Sequence, residues 1–366
     1  MYIQKSFAAV NTLMPERLRF AIVGCGRIAP RHAQSLAELS DRARLVGVAD
    51  VIESRAQRLA RDYGAEATTD YRRLLERKDI DVINICTPSG LHARMGIEAA
   101  QAGKHVIVEK PMALTTQDAD ALISACAQAN VTLTIVLQNR YNPPMRDLKA
   151  LVESGGLGRL LLGNATVRWY RPQSYYEDGW HGTRAMDGGA LMNQSIHHID
   201  ALQWLMGDVE SVFAYGATLA HRMECEDIGV AVWKFHSGAL GVIEGSTVTW
   251  PENLEGSVAI FGEHGSVKVG GTALNRKIFW KVNGELGNER YVLDQEAVDP
   301  PSVYGQSHRA VLADVIDAIK NGRVTATNGH EGRKSLALVL AMYASMESGR
   351  EVRLAELGRD SGEHVA

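Results

Sequence analysis

Two short motifs carry residue types that suit proton transfer. Lys110 stands in the sequence EKP of residues 109–111, where an acid, a cation and a rigid turn follow a short apolar run. His197 follows a glycine turn, and Asn193 stands four residues before it. Residues four apart share one face of a helix, and an imidazole with an unperturbed pKa of about 6.5 can act as a base near neutral pH. The second motif therefore predicts a helical histidine with a polar neighbour, an arrangement suited to proton transfer.

The same predicted helix carries a second histidine, His198, directly after His197. Adjacent histidines are found among metal ligands, but no aspartate, glutamate or cysteine completes a site at a recognisable spacing in this sequence, so we predict no bound metal. A packing role is the alternative for any histidine on a helix. The residues around His197 do not by themselves choose between packing and proton transfer.

A glycine-rich turn of the form G-x-G-x-x-A occupies residues 24–29, directly after an apolar run. Gly24 permits a tight turn, Gly26 lets the backbone approach a pyrophosphate, and the amides of the following helix bind the anion. Asp50 ends the next apolar run. Its carboxylate suits the ribose hydroxyls and repels a 2′-phosphate, which favours NAD over NADP. The turn predicts a dinucleotide site that includes Gly24, Gly26, Arg27, Ile28 and Asp50.

Further cofactor contacts are expected at the ends of two later apolar runs, because open parallel sheets bind ligands at the carboxyl edge of their strands. One run leads into the sequence CTPSGLH of residues 86–92, and the other into residues 109–111. Lys110 is expected beside the nicotinamide, with a surface ion pair to Glu109 as the alternative. For His92 we weigh cofactor contact against a capping or packing role. The residues assigned to the cofactor at this edge are Thr87, Pro88, Ser89, His92, Glu109 and Lys110.

These motifs need two kinds of supporting architecture. Over residues 18–140, short apolar runs alternate with helical periods, which predicts an α/β Rossmann domain with a doubly wound parallel sheet. After residue 141, prolines and a glycine-rich turn interrupt the pattern, and strand-like runs follow one another. We predict that residues 141–366 form an α+β domain with a large, open-faced and mostly antiparallel sheet. Residues 1–17 are expected to form a flexible extension, and residues 358–366 a frayed tail.

Length and composition are those of an ordinary two-domain globular protein. The chain has 366 residues, of which 45% are hydrophobic and 22% charged, and its net charge is −4. Neither disorder nor a basic surface for nucleic acid or an anionic membrane is indicated. The 4 cysteines form no C-x-x-C pair, and no segment has the pattern of a membrane span or a signal peptide. We expect a cytoplasmic protein that binds small molecules.

Taken in order, the glycine turn, residues 109–111 and the later pattern G-G-x-x-x-N-x-x-x-H resemble the Gfo/Idh/MocA family, named for glucose–fructose oxidoreductase, inositol dehydrogenase and a rhizopine-catabolism protein. The resemblance covers nearly the whole chain, residues 19–353. It implies that Lys110 and His197 are the catalytic pair. Many members carry an aspartate where this chain has Asn193, and Asn193 is expected instead to hydrogen-bond a sugar hydroxyl.

Two longer segments, residues 136–143 and 167–200, resemble the bacterial UDP-N-acetylglucosaminuronate 3-dehydrogenases of this family. In that branch the 3-hydroxyl of the sugar is oxidised with NAD. The resemblance implies a diphosphate and a carboxylate in the substrate, which suit the arginines of these segments, Arg140, Arg168 and Arg171. Aromatic side chains for stacking are Trp169, Tyr170, Tyr175, Tyr176 and Trp180. The residues assigned to the substrate are Asn139, Arg140, Arg168, Tyr170, Asn193 and His198.

The sequence thus predicts an NAD-dependent sugar dehydrogenase. His197 takes the proton of a hydroxyl as hydride leaves the same carbon, and Lys110 polarises that hydroxyl, although which of the two is the base stays open. An inositol or free-aldose dehydrogenase, and a cofactor-binding regulator without turnover, are the alternatives. Apolar residues on both faces of the second sheet, Val230, Val232, Val242 and Ile243, predict a homo-oligomer, a dimer or tetramer, formed through that sheet.

Overall fold

The computed structural model describes residues 16–271, 273–283 and 307–357. Of the extension expected at residues 1–17, residues 1–15 lie outside the described residues, as does the tail expected at residues 358–366. The described chain is built around two β-sheets, each covered by helices.

Six parallel strands form the first sheet: β1 (Leu18–Val23), β2 (Ala43–Ala49), β3 (Glu66–Thr68), β4 (Val82–Ile85), β5 (His105–Val108) and β6 (Leu133–Ile135). Their spatial order is β3-β2-β1-β4-β5-β6. The central strands are nearly unbroken apolar runs because helices cover both faces of the sheet. The order reverses between β1 and β4, and ligands of such sheets bind at the carboxyl ends of the strands at that point. The prediction of a doubly wound parallel sheet is confirmed.

Helices follow most of these strands: α1 (Ala29–Ala37), α2 (Glu53–Tyr63), α3 (Arg72–Glu76), α4 (His92–Gln101) and α5 (Thr116–Gln128). The alternation of apolar runs predicts all the elements of this unit except β3 and α3. Strand β3 has 3 residues, none of them buried, and α3 has 5. Neither is long enough to show a hydrophobic period.

The second sheet has eight strands: β7 (Leu160–Arg168), β8 (Val209–Ala217), β9 (Ile228–Phe235), β10 (Leu240–Ser246), β11 (Glu255–Gly262), β12 (Gly265–Gly270), β13 (Arg276–Val282) and β14 (Val352–Arg353). Their order is β13-β12-β11-β7-β10-β9-β8-β14. Strands β7 and β10 pair in parallel, and the other neighbours are antiparallel. The mostly antiparallel sheet is as predicted, whereas β13 and β14 carry no sequence signal that we recognised.

Four further helices complete the described chain: α6 (Pro143–Glu153), α7 (Ile196–Met206), α8 (His308–Asn321) and α9 (Gly329–Ser348). Almost every residue of α7 is buried, because the helix lies on the inner face of the second sheet. Glycines make room for it: a Cβ at Gly163 would lie 2.7 Å from the side chain of Leu202.

Helix α8 packs against α1, and its apolar residues join the core beneath the first sheet. The packing of α8 therefore crosses the domain boundary that we predict near residue 141. In the part of the chain that the structure describes, no helix combines the length and the apolar character that crossing a bilayer requires.

Candidate active site

The glycine turn of residues 24–29 lies at the carboxyl end of β1, beside the end of β4. Gly24 has a φ of +91°, and a Cβ there would lie 2.6 Å from the carbonyl oxygen of Cys86, so glycine is required at this position. A Cβ at Gly26 would meet no protein atom within 4 Å. This free space lets a ligand approach the backbone closely, and the turn therefore fits the pyrophosphate of a dinucleotide.

Asp50 and the start of α1 flank this turn. The Asp50 carboxylate accepts hydrogen bonds from the amide of Cys25 at 2.7 Å and from the amide of Ile52 at 2.8 Å, which holds it against the turn. Helix α1 begins after Ile28, and no side chain caps its first amides. Pro30 has no amide hydrogen and the amide of Arg31 donates to the carbonyl of Ile28, so the amide of Ala29 is the one at this helix start that is left for an anion. The contacts expected of Asp50 with ribose hydroxyls and of the turn with phosphate stay predictions.

The structure corrects the assignment of His92 to the cofactor. The ring is 1% exposed, with Nδ1 2.7 Å from the carbonyl oxygen of Pro111 and Nε2 2.8 Å from that of Thr87. Both ring nitrogens are therefore occupied by the two loops that His92 ties together. The buried hydroxyl of Thr87 has no hydrogen-bond partner within the described chain and is the polar group that remains for a ligand. The contacts expected of Pro88 and Ser89 stay predictions.

The Glu109 carboxylate is held between two histidines. Its Oε1 lies 2.8 Å from Nε2 of His32 on α1 and 3.6 Å from Nε2 of His308 on α8, and their three ligand atoms lie within 4.8 Å of one another. Burial opposes ionisation, yet the nearby ring of His308 and the hydrogen bond with His32 hold the pKa of Glu109 well below its ordinary value. The assignment of Glu109 to the cofactor is therefore corrected: its carboxylate anchors the loop to two helices.

Lys110 reaches from the first sheet to the start of α7. Its Nζ donates to the main-chain carbonyl of Asn193 at 2.8 Å and to the side-chain Oδ1 of Asn193 at 3.1 Å. Asn193 lies in a π-helical turn, Ala190–Ser195, that leads into α7. Such widened turns are frequent at functional sites. The structure thus joins the two motifs that the sequence analysis singles out.

His197 follows Asn193 by four residues and is almost fully buried. Its Nε2 lies 3.3 Å from Nε2 of Gln138, and its Nδ1 has no hydrogen-bond partner within the described chain. Burial and the charge of Lys110 hold the pKa of His197 well below its ordinary value. The ring is therefore neutral at neutral pH. A neutral imidazole beside an ammonium is able to accept a proton while the ammonium donates a hydrogen bond.

Arg140 is not available to a substrate, and that assignment is corrected. Its Nε and Nη2 each lie 2.7 Å from a carboxylate oxygen of Asp200, and its Nη1 lies 2.7 Å from Oε2 of Glu331. The guanidinium is buried, and although burial opposes its charge, the two carboxylates hold the pKa of Arg140 above its ordinary value. Arg140 ties α7 to α9.

Arg168 and His198 are the other two substrate assignments that the structure corrects. Arg168 pairs with Glu244 at 2.6 Å and with Glu255 at 3.0 Å on the face of the second sheet that points away from α7. The His198 ring packs edge-on against Trp169, at 5.8 Å between centroids, and is buried against β11. One residue further along a helix is a turn of about 100°, so His198 faces the sheet.

Arg171 is the arginine of the substrate segments that reaches the pocket. Its Nη2 donates to Oε1 of Gln194 at 2.8 Å, and its charge contributes to lowering the pKa of Lys110, after the larger effect of burial. Its guanidinium lies 5.5 Å from the ring centre of Tyr175, and the guanidinium of Arg27 lies 5.0 Å from the same ring. Tyr175 therefore links the cofactor turn to Arg171.

Several further polar residues reach the site without having been assigned from the sequence: Gln138, His181, Asp187 and Gln194. Nδ1 of His181 donates a hydrogen bond to a carboxylate oxygen of Asp178 at 2.5 Å, and the ring packs against Trp180. Burial lowers the pKa of His181 to about 4, to which the charges of Arg27 and Lys110 contribute. Gln138 and Gln194 could have been found from the sequence, because they adjoin residues that the sequence analysis assigns to the site. His181 could not, because a single histidine in a loop has no pattern that indicates a functional role. Asn139 is buried and Tyr170 is half-buried just beyond β7; their contacts with substrate stay predictions.

The first domain is doubly wound and carries a dinucleotide turn. The second domain places a neutral imidazole at the edge of the first sheet. Together these features define the class of two-domain nicotinamide-dependent oxidoreductases. The profile described as oxidoreductase family, NAD-binding Rossmann fold, matches residues 18–137, and that of the Gfo/Idh/MocA C-terminal domain matches residues 145–268. The chain belongs to the Gfo/Idh/MocA family. It is an NAD-dependent dehydrogenase of sugars or polyols.

Several proteins of known structure or activity are similar to this chain over most of its length. The WlbA dehydrogenase of Bordetella pertussis, solved with NADH and UDP-GlcNAcA, is 41% identical, with 93% of this chain and 99% of that chain covered and a TM-score of 0.88. The WlbA dehydrogenase of Chromobacterium violaceum, solved with the same two ligands, is also 41% identical, covers 93% and 97%, and has a TM-score of 0.85. The myo-inositol 2-dehydrogenase of Thermotoga maritima is 29% identical over 93% of this chain and 99% of its own.

Proposed function

We propose that the protein oxidises the 3-hydroxyl of a UDP-N-acetyl-hexuronic acid, with NAD as the hydride acceptor. The observation that carries the proposal is the 41% identity, over 93% of this chain, to two dehydrogenases solved with NADH and UDP-GlcNAcA. Identity to the inositol 2-dehydrogenase of Thermotoga maritima is 29% over the same share. The difference favours the nucleotide sugar over the polyol.

The side chains of the pocket support a simple division of labour. When bound, NAD accepts the hydride from the carbon that carries the hydroxyl. His197, kept neutral by burial and by Lys110, takes the proton of that hydroxyl. The Lys110 ammonium donates a hydrogen bond to the same oxygen and stabilises the negative charge that develops there. The Asp50 carboxylate and the turn at Gly26 hold the cofactor at the other end of the pocket.

The acidic groups of the proposed substrate require cationic partners. Of the three arginines in the substrate segments, Arg140 and Arg168 are each paired with two carboxylates. Arg171 donates to the side-chain amide oxygens of Gln194 and Asn253, which carry no charge, and lies near enough to Lys110 to influence the pKa of that amine. We therefore assign to Arg171 the binding of one acidic group of the substrate.

A titration of the NAD-loaded protein tests the substrate. UDP-N-acetylglucosaminuronic acid is expected to bind with a micromolar Kd, about −8 kcal/mol, and to produce reduced cofactor, which is followed by its absorbance and by the heat of binding. UDP-N-acetylglucosamine should bind more weakly because the partner of the missing carboxylate is left unpaired, and myo-inositol should not bind. Turnover of myo-inositol without binding of the uronate would contradict the proposal and favour a polyol dehydrogenase.

A matched pair of arginine variants sharpens this titration. Arg171→Met is expected to weaken binding of the uronate about tenfold or more, the size of one charged hydrogen bond. Arg168→Met removes a guanidinium from the outer face of the sheet and should leave binding unchanged. Equal losses in both variants would show that the assignment of Arg171 is wrong.

We also infer that the protein forms a homo-oligomer through the outer face of its second sheet. Val230 and Val232 on β9 and Leu240 and Val242 on β10 form an exposed apolar patch on this face, and exposed patches of this kind mark interfaces. In a two-fold symmetric dimer the same patch of each subunit packs against itself, and a flat sheet face allows this. The inferred partner is therefore another copy of this chain.

Sedimentation velocity tests the inferred interface. The wild type is expected to sediment as a dimer or tetramer, and Val232→Lys, which places a charge in the centre of the patch, should shift it toward the monomer. Val324→Lys is the control, since Val324 is 71% exposed in the connection between α8 and α9, away from the sheet, against 53% for Val232. A monomeric wild type would contradict the inference.

A further inference from the structure

Asp187 is a buried carboxylate to which the proposed chemistry gives no role. It lies just before the glycine turn that opens the π-helix, and it is 1% exposed. Its Oδ2 accepts the amide of Gly182 at 2.8 Å, and its Oδ1 accepts a hydrogen bond from Nδ2 of Asn193. On the opposite side of the same carboxamide, Oδ1 of Asn193 accepts from Nζ of Lys110. Asn193 thus lies between an acid and the amine of the site.

The chemistry of the two outer groups fixes the orientation of the middle one. Burial raises the pKa of Asp187 to about 7. Above that pH its ionised carboxylate only accepts hydrogen bonds, and an ammonium only donates them. A carboxamide between them satisfies both only when its nitrogen faces the carboxylate and its oxygen faces the ammonium. Rotating the Asn193 amide by half a turn would place donor against donor at Lys110 and acceptor against acceptor at Asp187. Asp187 therefore decides which atom of Asn193 meets Lys110.

This orientation determines where the hydrogens of Lys110 point. An ammonium has three donors, and two of them are taken by the main-chain and side-chain oxygens of Asn193. The third is left for the oxygen of a substrate. With the amide reversed, Nζ would lose one of its two fixed partners, and the direction of the remaining donors would no longer be set.

We propose that Asp187 is a positioning residue, which aims Lys110 at the substrate hydroxyl by fixing the orientation of the Asn193 carboxamide. This inference rests on the proposed function, in which Lys110 contacts the reacting oxygen. Asp187 contacts neither substrate nor cofactor in this scheme and acts through Asn193. Burial lowers the pKa of Lys110, the charges of Glu109 and Asp187 oppose that shift, and the charge of Arg171 adds to it.

The test exchanges the acid and the amide between positions 187 and 193. In Asp187→Asn alone, the new amide oxygen accepts from Gly182 and the new amide nitrogen faces Asn193. Asn193 then turns its oxygen toward position 187 and its nitrogen toward Lys110. We expect kcat to fall about tenfold or more, the size of one lost charged hydrogen bond, with KM and NAD affinity changing far less. In the double variant Asp187→Asn/Asn193→Asp, the new amide at 187 accepts from Gly182 and donates to the new carboxylate at 193. That carboxylate accepts from Lys110, and kcat should recover most of the loss.

Controls separate positioning from folding. Glu224→Gln removes a different carboxylate that binds the same loop, through the amide of Arg184, and should leave kcat unchanged. Thermal melts and NAD titrations accompany each variant. An Asp187→Asn variant with wild-type kcat would overturn the proposal, and so would a folded double variant no faster than the single one. Failure of the proposed function shows separately, because the wild type itself would then produce no reduced cofactor from UDP-N-acetylglucosaminuronic acid.

Discussion

Replacing His197 by glutamine is expected to lower kcat by about a hundredfold or more, the range typical of positioned acid–base groups, and Lys110→Ala should have an effect of similar size. His197 is the neutral base in the proposed reaction, and glutamine keeps much of its size and polarity but cannot take up a proton. Lys110 supplies the hydrogen bond to the reacting oxygen. Affinity for NAD should largely survive in both variants, because the glycine turn and Asp50 lie at the other end of the pocket.

The measurement is turnover under saturating substrate and NAD, with a cofactor titration and a thermal melt for each variant. His198→Gln is the matched control: it makes the same change one residue further along α7, where the ring packs against Trp169 and β11. Its effect should fall mainly on stability, with much less effect on kcat. Near-normal turnover in a folded His197→Gln or Lys110→Ala variant would refute the assignment of that residue.

Arg140→Ala is expected to reduce the free energy of unfolding by about 3–5 kcal/mol, the cost of removing one partner from a buried ion pair. Arg140 makes two hydrogen bonds to Asp200 and one to Glu331. Asp200 is 1% exposed, and the hydroxyl of Ser335 is its other side-chain partner. Without the guanidinium, a buried carboxylate would lose its counter-charge, and α7 and α9 would lose the link between them.

Urea unfolding followed by circular dichroism measures this loss. Arg168→Ala is the control, since Arg168 also pairs with two carboxylates but its side chain is 41% exposed. Exposed ion pairs contribute up to about 1 kcal/mol, so the two variants should differ severalfold. An Arg140→Ala protein as stable as the wild type would show that the triad adds nothing to folding. A loss of substrate affinity without a loss of stability would restore Arg140 to the binding site.

Local pattern was enough to predict the doubly wound parallel sheet of the first domain. Residues of β1, β4 and β5 are largely buried, so each strand is a nearly unbroken apolar run. The turn at Gly24 is also predictable from the sequence, because glycine adopts a positive φ without strain. Lys110 and His197 stand in motifs whose spacing is local. The short or exposed strands β3, β13 and β14 carry no such signal.

The tertiary structure alone decided which charged side chains face the pocket. Arginine is a residue type that binds anions, but Arg140 and Arg168 both have carboxylate partners from distant segments. The partners of Arg140 lie 60 and 191 residues away in the chain, and those of Arg168 lie 76 and 87 residues away. The carboxylate of Glu109 contacts His32 and His308, which lie on two different helices. A charge is available to a ligand only when no nearer group neutralises it, and that depends on the packing of segments that are distant in the chain.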